Sequence, residues 1–160
     1  MAKSKLSAGL LMYRVRQGQL QVFIAHPGGP FFQKKDVGVW SIPKGEPEEG
    51  EDFLDAAQRE FHEETGFTAA GPFIELTPIK QKGGKVVHAW AFERDDAPAT
   101  IVSNTCLLEW PPRSGRQIEI PEIDRAEFFD LSEAKQKINP AQVALIDELA
   151  EKLKGQPTLD

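Results

Sequence analysis

The segment Arg59-Glu60-Phe61-His62-Glu63-Glu64-Thr65-Gly66 places three glutamates at i, i+3 and i+4. That spacing stacks Glu60, Glu63 and Glu64 on one side of a helix. They fall just before Gly66, a natural C-terminal stop. The negative end of the helix dipole lies there, where Lys or Arg would be the stabilising choice. Each like-charged pair costs some tenths of a kcal/mol, about 0.3. A divalent cation among the three carboxylates reverses that penalty. Oxygen-only ligands suit a hard ion, and Mg²⁺ takes a few carboxylates together with water and phosphate oxygens. An ion held in this way activates water and neutralises the charge of a phosphoryl group in transfer.

The competing interpretation of the stripe is a solvated helix face. Other chemistries find less support. His26, His62 and His88, the three histidines, do not have a zinc-like spacing. His26 opens a glycine loop, where contact with a substrate and a structural turn role are both open. Gly28-Gly29 lacks a GxGxxG or Walker pattern. The single Cys106, within TCLLEW, is expected to be a packed strand residue and not a nucleophile.

A helix over 53–65 must carry the glutamates. It contains no Gly or Pro, has Asp52 as N-cap and Asp55 as a first-turn acid, and packs through Leu54, Ala57 and Phe61. Leu6 to Val15 and Leu20 to Ala25 are apolar, β-prone runs joined by a Gln17-Gly18 turn, and they predict a hairpin. After His26-Pro27-Gly28-Gly29-Pro30 a long loop, Phe31 to Gly38, carries Lys34 and Lys35; loops of this length in a compact domain are often functional. Trp40 to Pro43 predicts a short strand ended by Lys44-Gly45. Phe73 to Lys82 and Lys85 to Glu93 predict a second hairpin around Gly83-Gly84. Thr105 to Trp110 and Arg125 to Leu131 read as strands, with the loop Pro111 to Arg116 between them. Ser132 is expected to cap a short helix, and Asn139-Pro140 to open a last one. That helix would bury Val143, Ile146, Leu149 and Leu153 and end at Gly155. Strands and helices mix throughout, so the expectation is one α/β domain over 1–160.

Extended on both sides, the opening segment becomes Gly45, five residues, Glu51, seven residues, Arg59-Glu60, an apolar residue, any residue, Glu63-Glu64, any residue, Gly66 and an apolar Phe67. At each fixed position this resembles the signature of the Nudix hydrolases. Seven fixed residues coincide by chance at a given start roughly once in 10⁸. Phe61 departs mildly, since the family more often has a smaller aliphatic there. The resemblance implies an α/β/α sandwich with a mixed β-sheet and a Mg²⁺-dependent (or Mn²⁺-dependent) pyrophosphohydrolase. It implies metal ligation by Glu60, Glu63 and Glu64, with the Gly45 carbonyl as a further ligand. Glu51 is expected to support the cluster or the loop–helix junction, the alternative being a dipole-compensating acid. Arg59 is expected to orient Glu60 through a bidentate pair, the alternative being a surface pair with Asp55 or Glu63. The catalytic set is therefore Glu51, Arg59, Glu60, Glu63 and Glu64. The general base is left open among Glu60, Glu64, Glu119 and Glu122, because related hydrolases often place an extra glutamate on a loop.

Outside the motif, Lys44, Arg113 and Arg116 are candidates for substrate phosphates, as are Lys80, Lys82 and Lys85 around one hairpin; solvated surface is the alternative for each group. Trp40 and Trp110 are either base-stacking platforms or core. SAGLLMYR, VFIAHPGGP and WSIPKGE are most similar to the bacterial branch near nucleoside triphosphate and diadenosine polyphosphate hydrolases. The resemblance thus implies a nucleoside triphosphate or dinucleoside polyphosphate as substrate. Alternatives are ADP-ribose or nucleotide-sugar hydrolysis, oxidised-nucleotide hydrolysis, and a nucleotide-binding module without catalysis.

Composition narrows the classes. The chain has 160 residues, 40% apolar and 28% charged, which suits one folded domain and neither disorder nor membrane insertion. A net charge of -6 argues against coating nucleic acid, and leaves a small anionic nucleotide dependent on a bound cation. The start reads as a first strand and not a signal peptide. With one cysteine and no apolar run long enough for a bilayer, the expectation is a cytoplasmic monomer or homodimer.

Overall fold

The computed structural model describes residues 5–96 and 101–154. Strand β1, Leu6–Arg16, is the centre from which the rest is built. It turns at Gln17-Gly18, both with positive φ, into β2, Gln19–Pro27, its antiparallel neighbour. That turn geometry matches the right-handed twist of a hairpin. The two-residue β3, Lys44–Gly45, pairs antiparallel with β1. Helix α1, Phe53–Thr65, follows. Two short strands come next, β4 (Ile74–Glu75) and β5 (Ile79–Lys80), both antiparallel to β6, Val86–Glu93. The predicted run from Phe73 to Lys82 is thus interrupted around Pro78, which has no N–H for a ladder. β6 lies parallel to β1, which makes the sheet mixed. β7, Thr105–Glu109, and β8, Gln117–Pro121, form a separate two-stranded ribbon. β9, Ile123–Asp130, returns to the main sheet beside β2. Helices α2, Leu131–Lys137, and α3, Val143–Leu153, complete the fold, with a 3-10 turn at Pro140–Gln142 between them. Among the described residues the main sheet has seven strands, in the order β4-β6-β1-β2-β9 with β3 and β5 at the side.

Alternation along the strands sorts the core into two layers. Ala8, Leu10 and Met12 of β1 pack with Phe23 of β2 and Phe92 of β6 against Ala56, Ala57 and Phe61 of α1. On the opposite face Leu11, Tyr13, Val22, Ile24, Ala89 and Ala91 pack against Ala134, Leu145, Ile146, Leu149 and Leu153. One sheet between two helical layers is the α/β/α sandwich that the resemblance implies. No described helix is long and apolar enough to cross a membrane.

Several local expectations change. Gln117–Pro121 is a strand and not loop, because Ile118 and Ile120 alternate opposite Leu108 and Cys106. Cys106 is exposed, not packed, since the ribbon stands off the main sheet. Trp40 and Ser41 make single bridges to Ile138 and Ala25, and the strand proper is Lys44–Gly45. Asp130 occupies the N-cap of α2 without a side-chain capping hydrogen bond, its Oδ1 accepting from Gln21 instead, and Ser132 lies inside the helix. Asn139 caps as expected, its Oδ1 accepting from Ala141 N–H at 2.9 Å, but the turn it opens is 3-10. Leu145 joins Ile146, Leu149 and Leu153 in the core, while Val143 is only partly buried. Gly155 lies outside the described residues.

Candidate metal centre and substrate cleft

Helix α1 starts and stops where its capping residues dictate. Asp52 accepts from Leu54 and Asp55 N–H at 3.1 and 3.3 Å, and Gly66 leaves the helix at φ 79. Three carbonyls of the last turn are met by backbone donors. His62 O accepts from Gly66 N–H, Glu63 O from Asn104 N–H at 2.8 Å, and Thr65 O from Val102 N–H at 3.2 Å. Side-chain cations are therefore not needed at this helix end, and carboxylates can stand there.

Arg59 organises those carboxylates. Its Nε and one terminal nitrogen donate to the two Glu51 oxygens at 2.9 and 3.0 Å. Its other terminal nitrogen donates to Glu60 at 3.1 Å and to both oxygens of Glu63 at 3.2 Å. The bidentate pair expected on Glu60 is thus made with Glu51, and the surface-pair alternative with Glu63 holds in part. Glu51 also accepts from Glu48 N–H at 2.9 Å, closing the loop before the helix. These hydrogen bonds, Arg59 first, hold the Glu51 carboxyl below its ordinary range.

Glu64 is different: it is buried, 6% exposed. Burial first, then the charges of Glu60 and Glu122, push its carboxyl up to about 9 against the pull of Lys44. Burial also raises Glu60, with Arg59 opposing and Glu63 adding to the rise, and raises Glu122, where Glu63 adds to it. Burial lowers the Lys44 ammonium, Lys85 lowers it further, and Glu64 and Glu60 oppose. Three carboxyls, Glu60, Glu64 and Glu122, whose ionisation is disfavoured by burial and then by neighbouring charge, are what a cation would relieve.

Two adjoining cavities open here. One, of about 190 Å³, is lined by Ala25, Pro27, Val39, Ile42, Glu64 and Ile123, among others; the second, of about 390 Å³, by Gly45, Arg59, Glu60, Glu63 and Asn104, among others. Lys44 and Glu122 line both. A Cβ on Gly45 would overlap the Glu60 carboxylate, so glycine makes the space that this side chain fills. Among the described residues no three acidic, histidine or cysteine side chains are already drawn into a closed cation cage. Arg59 supplies the counter-charge to Glu60 and Glu63 instead. The donors still fit a hard divalent ion, being all oxygen, crowded, and short of cationic partners at Glu64 and Glu122.

The remaining candidates separate. Glu119 lines neither cavity, while Glu122 lines both. Arg113 and Arg116 lie in the turn at the tip of the β7–β8 ribbon and line neither cavity. Five strand residues separate them from the ribbon base, about 16 Å at the usual rise. Of the lysines around Gly83-Gly84, Lys85 comes within electrostatic range of Lys44. Trp40 is core, 1% exposed, and Trp110 is half-buried at the ribbon tip. His26 is buried and bonded through both ring nitrogens, to Asp124 at 2.8 Å and to the Lys35 carbonyl at 2.7 Å, so it braces a loop. Asn104 was not predicted. Its N–H binds Glu63 O and its carbonyl accepts from Glu122 N–H at 3.0 Å, linking α1 to the ribbon base. Nothing in Ser103-Asn104 signals this, because it depends on where the chain crosses the helix end.

Comparison with known proteins agrees with this arrangement. The model of the NUDIX domain matches residues 3–149. The fold is similar to an Ap4A hydrolase of C. elegans in a binary complex, at 22% identity and TM-score 0.65, covering 93% of this chain and 98% of that one. It is also similar to the NUDIX domain of Shewanella oneidensis NrtR complexed with ADP ribose, at 15% identity and TM-score 0.67, covering 96% and 90%. The E. coli ORF135 protein is a third, at 19% identity and TM-score 0.57, covering 96% and 95%. No curated protein matches the sequence. A sheet held between helical layers, a glutamate-rich helix end facing a cleft and a family match over nearly the whole length lead to one assignment: the chain belongs to the Nudix hydrolase family.

Proposed function

We propose that the protein is a Mg²⁺-dependent pyrophosphohydrolase, with Mn²⁺ as the alternative ion, that cleaves the diphosphate linkage of a nucleoside triphosphate or dinucleoside polyphosphate. The observation that carries this reading is the position of Glu64 and Glu122 against Lys44, where two cavities meet. Glu60, Glu63 and Glu64, with the Gly45 carbonyl, would hold the metal, which when bound supplies charge neutralisation and an acidified water. Glu122 comes from the ribbon base and not the helix, so it is free to accept the proton of the attacking water at a carboxylate oxygen. Lys44 meets phosphate oxygens as a point charge from either cavity. Arg59 fixes Glu51, Glu60 and Glu63 so that their carboxylates do not turn away.

The test is release of phosphate-containing products with Mg²⁺ present or chelated, across nucleoside triphosphates, diadenosine polyphosphates, ADP-ribose and sugar nucleotides, with products identified by mass. Hydrolysis of none of them with Mg²⁺ would sink the enzymatic reading. A second reading, ADP-ribose as substrate, is favoured by the likeness to a domain seen with that ligand; the same screen decides it. The net charge of -6 supports a small-molecule partner and not nucleic acid, with a cytoplasmic monomer or homodimer as the working form.

A further inference from the structure

The carboxylates of the cleft are not all fixed in the same way. Burial holds Glu64, and Arg59 holds Glu51, Glu60 and Glu63. Among the described residues the Glu122 carboxylate accepts no hydrogen bond and has no ion-pair partner. Whatever aims Glu122 at the cleft must therefore act through its backbone and through the residues on either side.

That backbone is anchored closely. Glu122 N–H donates to Asn104 O at 3.0 Å, and Glu122 O accepts from Gly28 N–H at 3.0 Å. The next residue, the buried Ile123, donates its N–H to Ser103 Oγ at 3.1 Å. The Ser103 hydroxyl in turn donates to Asn104 O at 2.9 Å. One hydroxyl thus closes a ring that runs from Ile123 N–H through Ser103 Oγ to Asn104 O and back to Glu122 N–H. Such a ring suits a hydroxyl because the group must accept and donate at once, and the Asn104 carbonyl has lone pairs for both of its donors. Asn104 N–H donates to Glu63 O at 2.8 Å, so the ring hangs from the end of α1. Immediately beyond it β9 bulges. Ile123 pairs with Pro27 and Arg125 with His26, which leaves Asp124 as the extra residue, tied to His26 at 2.8 Å. A bulge re-aims the side chains around it. The start of β9 is therefore pinned by His26 on one side and by Ser103 on the other.

We infer that Ser103 is a positioning residue for Glu122: its hydroxyl holds the Glu122-Ile123 backbone against the end of α1 and so sets where the Glu122 carboxylate stands relative to the helix glutamates. This rests on the reading of Glu122 as the proton acceptor. Without the hydroxyl, the N–H of buried Ile123 loses its acceptor and the segment is free to shift. Ile123 lines the smaller cavity together with Glu122, so the cavity wall and the carboxylate move together. A misplacement of about 1 Å can cost about 10²-fold in rate. Phosphate binding falls to Lys44 and the helix end, so the loss belongs in kcat and not in KM.

Two measurements test this. The first uses no turnover. Amide hydrogen exchange of the metal-free protein should show the Glu122 and Ile123 N–H groups exchanging at least about tenfold faster in Ser103→Ala, with the β1 amides unchanged and Ser103→Thr like the parent. Unchanged exchange at Glu122 and Ile123 would overturn the anchor. The second is kinetic, with ATP or diadenosine tetraphosphate, whichever is cleaved faster, and Mg²⁺. Ser103→Ala should lower kcat at least about fivefold with KM moved less than about twofold, and Ser103→Thr should restore kcat. In a Glu122→Gln background, Ser103→Ala should cost less than about twofold more, because the group it positions is already gone. A fall in Tm with kcat unchanged would reduce Ser103 to a structural contact and overturn the inference. So would a full kcat loss that persists in the Glu122→Gln background. The reading beneath is tested apart: full turnover of Glu122→Gln alone would overturn Glu122 as proton acceptor and this inference with it. A loss in Glu122→Gln with none in Ser103→Ala would overturn this inference alone.

Discussion

Arg59 grips Glu51 with two nitrogens, at 2.9 and 3.0 Å, while it touches Glu60, its sequence neighbour, through one contact at 3.1 Å. The guanidinium is thus a tie between the loop before α1 and the metal-facing side of the helix. Four hydrogen-bonded partners, Glu46, Glu51, Glu60 and Glu63, share one cation.

Arg59→Lys keeps the charge and loses the fork. Turnover should fall at least tenfold, with Tm lowered by only a few degrees, about 2–5 °C. Denaturant double-mutant cycles should find stronger coupling of Arg59 to Glu51 than to Glu60. Equal couplings would mean that the fork is not the stabilising contact.

Glu64 sets a pH dependence whose sign can be worked out. Its carboxyl stands at about 9 in the metal-free fold against an ordinary 4.5. Between those values the folded chain holds a proton that the unfolded chain has lost, so stability from this group falls as pH rises through that window. Metal-free protein should therefore lose Tm from pH 6 to pH 9, and Glu64→Gln should flatten the loss. Divalent ions expel the same proton, so their affinity should rise by up to about tenfold per pH unit below 9. Calorimetry in buffers of different ionisation enthalpy measures that proton directly. An affinity independent of pH would place the ion elsewhere.

Glu63→Gln and Glu64→Gln should each lower turnover by at least about a hundredfold without unfolding the chain, since Glu63→Gln removes one of the crowded anions and Glu64→Gln keeps the shape of a carboxyl that holds its proton in the metal-free fold. Circular dichroism alongside kinetics checks both halves. A double variant with full activity would remove the glutamates from the mechanism.

Gly45→Ala brings a methyl group into the space of the Glu60 carboxylate, the end of a side chain that can swing aside. The fold should survive, with metal affinity down about tenfold or more, measured by titration against Mn²⁺.

Glu122→Gln should cost about 10²-fold or more in turnover, as expected on losing a general base, and Glu119→Gln should cost little. Arg113→Gln with Arg116→Gln should change KM for long and short polyphosphates equally, because the ribbon tip lines neither cavity. Kinetics at two ionic strengths would reveal any long-range steering.

The glutamate helix, its caps at Asp52 and Gly66, the first hairpin and the apolar faces of α1 and α3 were legible in the sequence. Each depends on contacts within a turn or two, where periodicity and capping chemistry are local. Ribbon strand β8 was not legible: Ile118 and Ile120 alternate over only five residues, and its ladder partner lies across a turn of seven. Which carboxylate Arg59 would clamp was not legible, since Glu51 and Glu60 are both within reach of a flexible side chain. Nor was the choice between Glu119 and Glu122. That choice follows from Asn104 linking the helix end to the ribbon base, a contact between residues far apart in the chain. The sequence by itself determined the chemistry of the donors, because residue type and helical spacing are local properties. Tertiary structure alone decided which of them share a cleft with Lys44 and how deeply Glu64 is buried, because desolvation and charge proximity exist only once distant segments have packed.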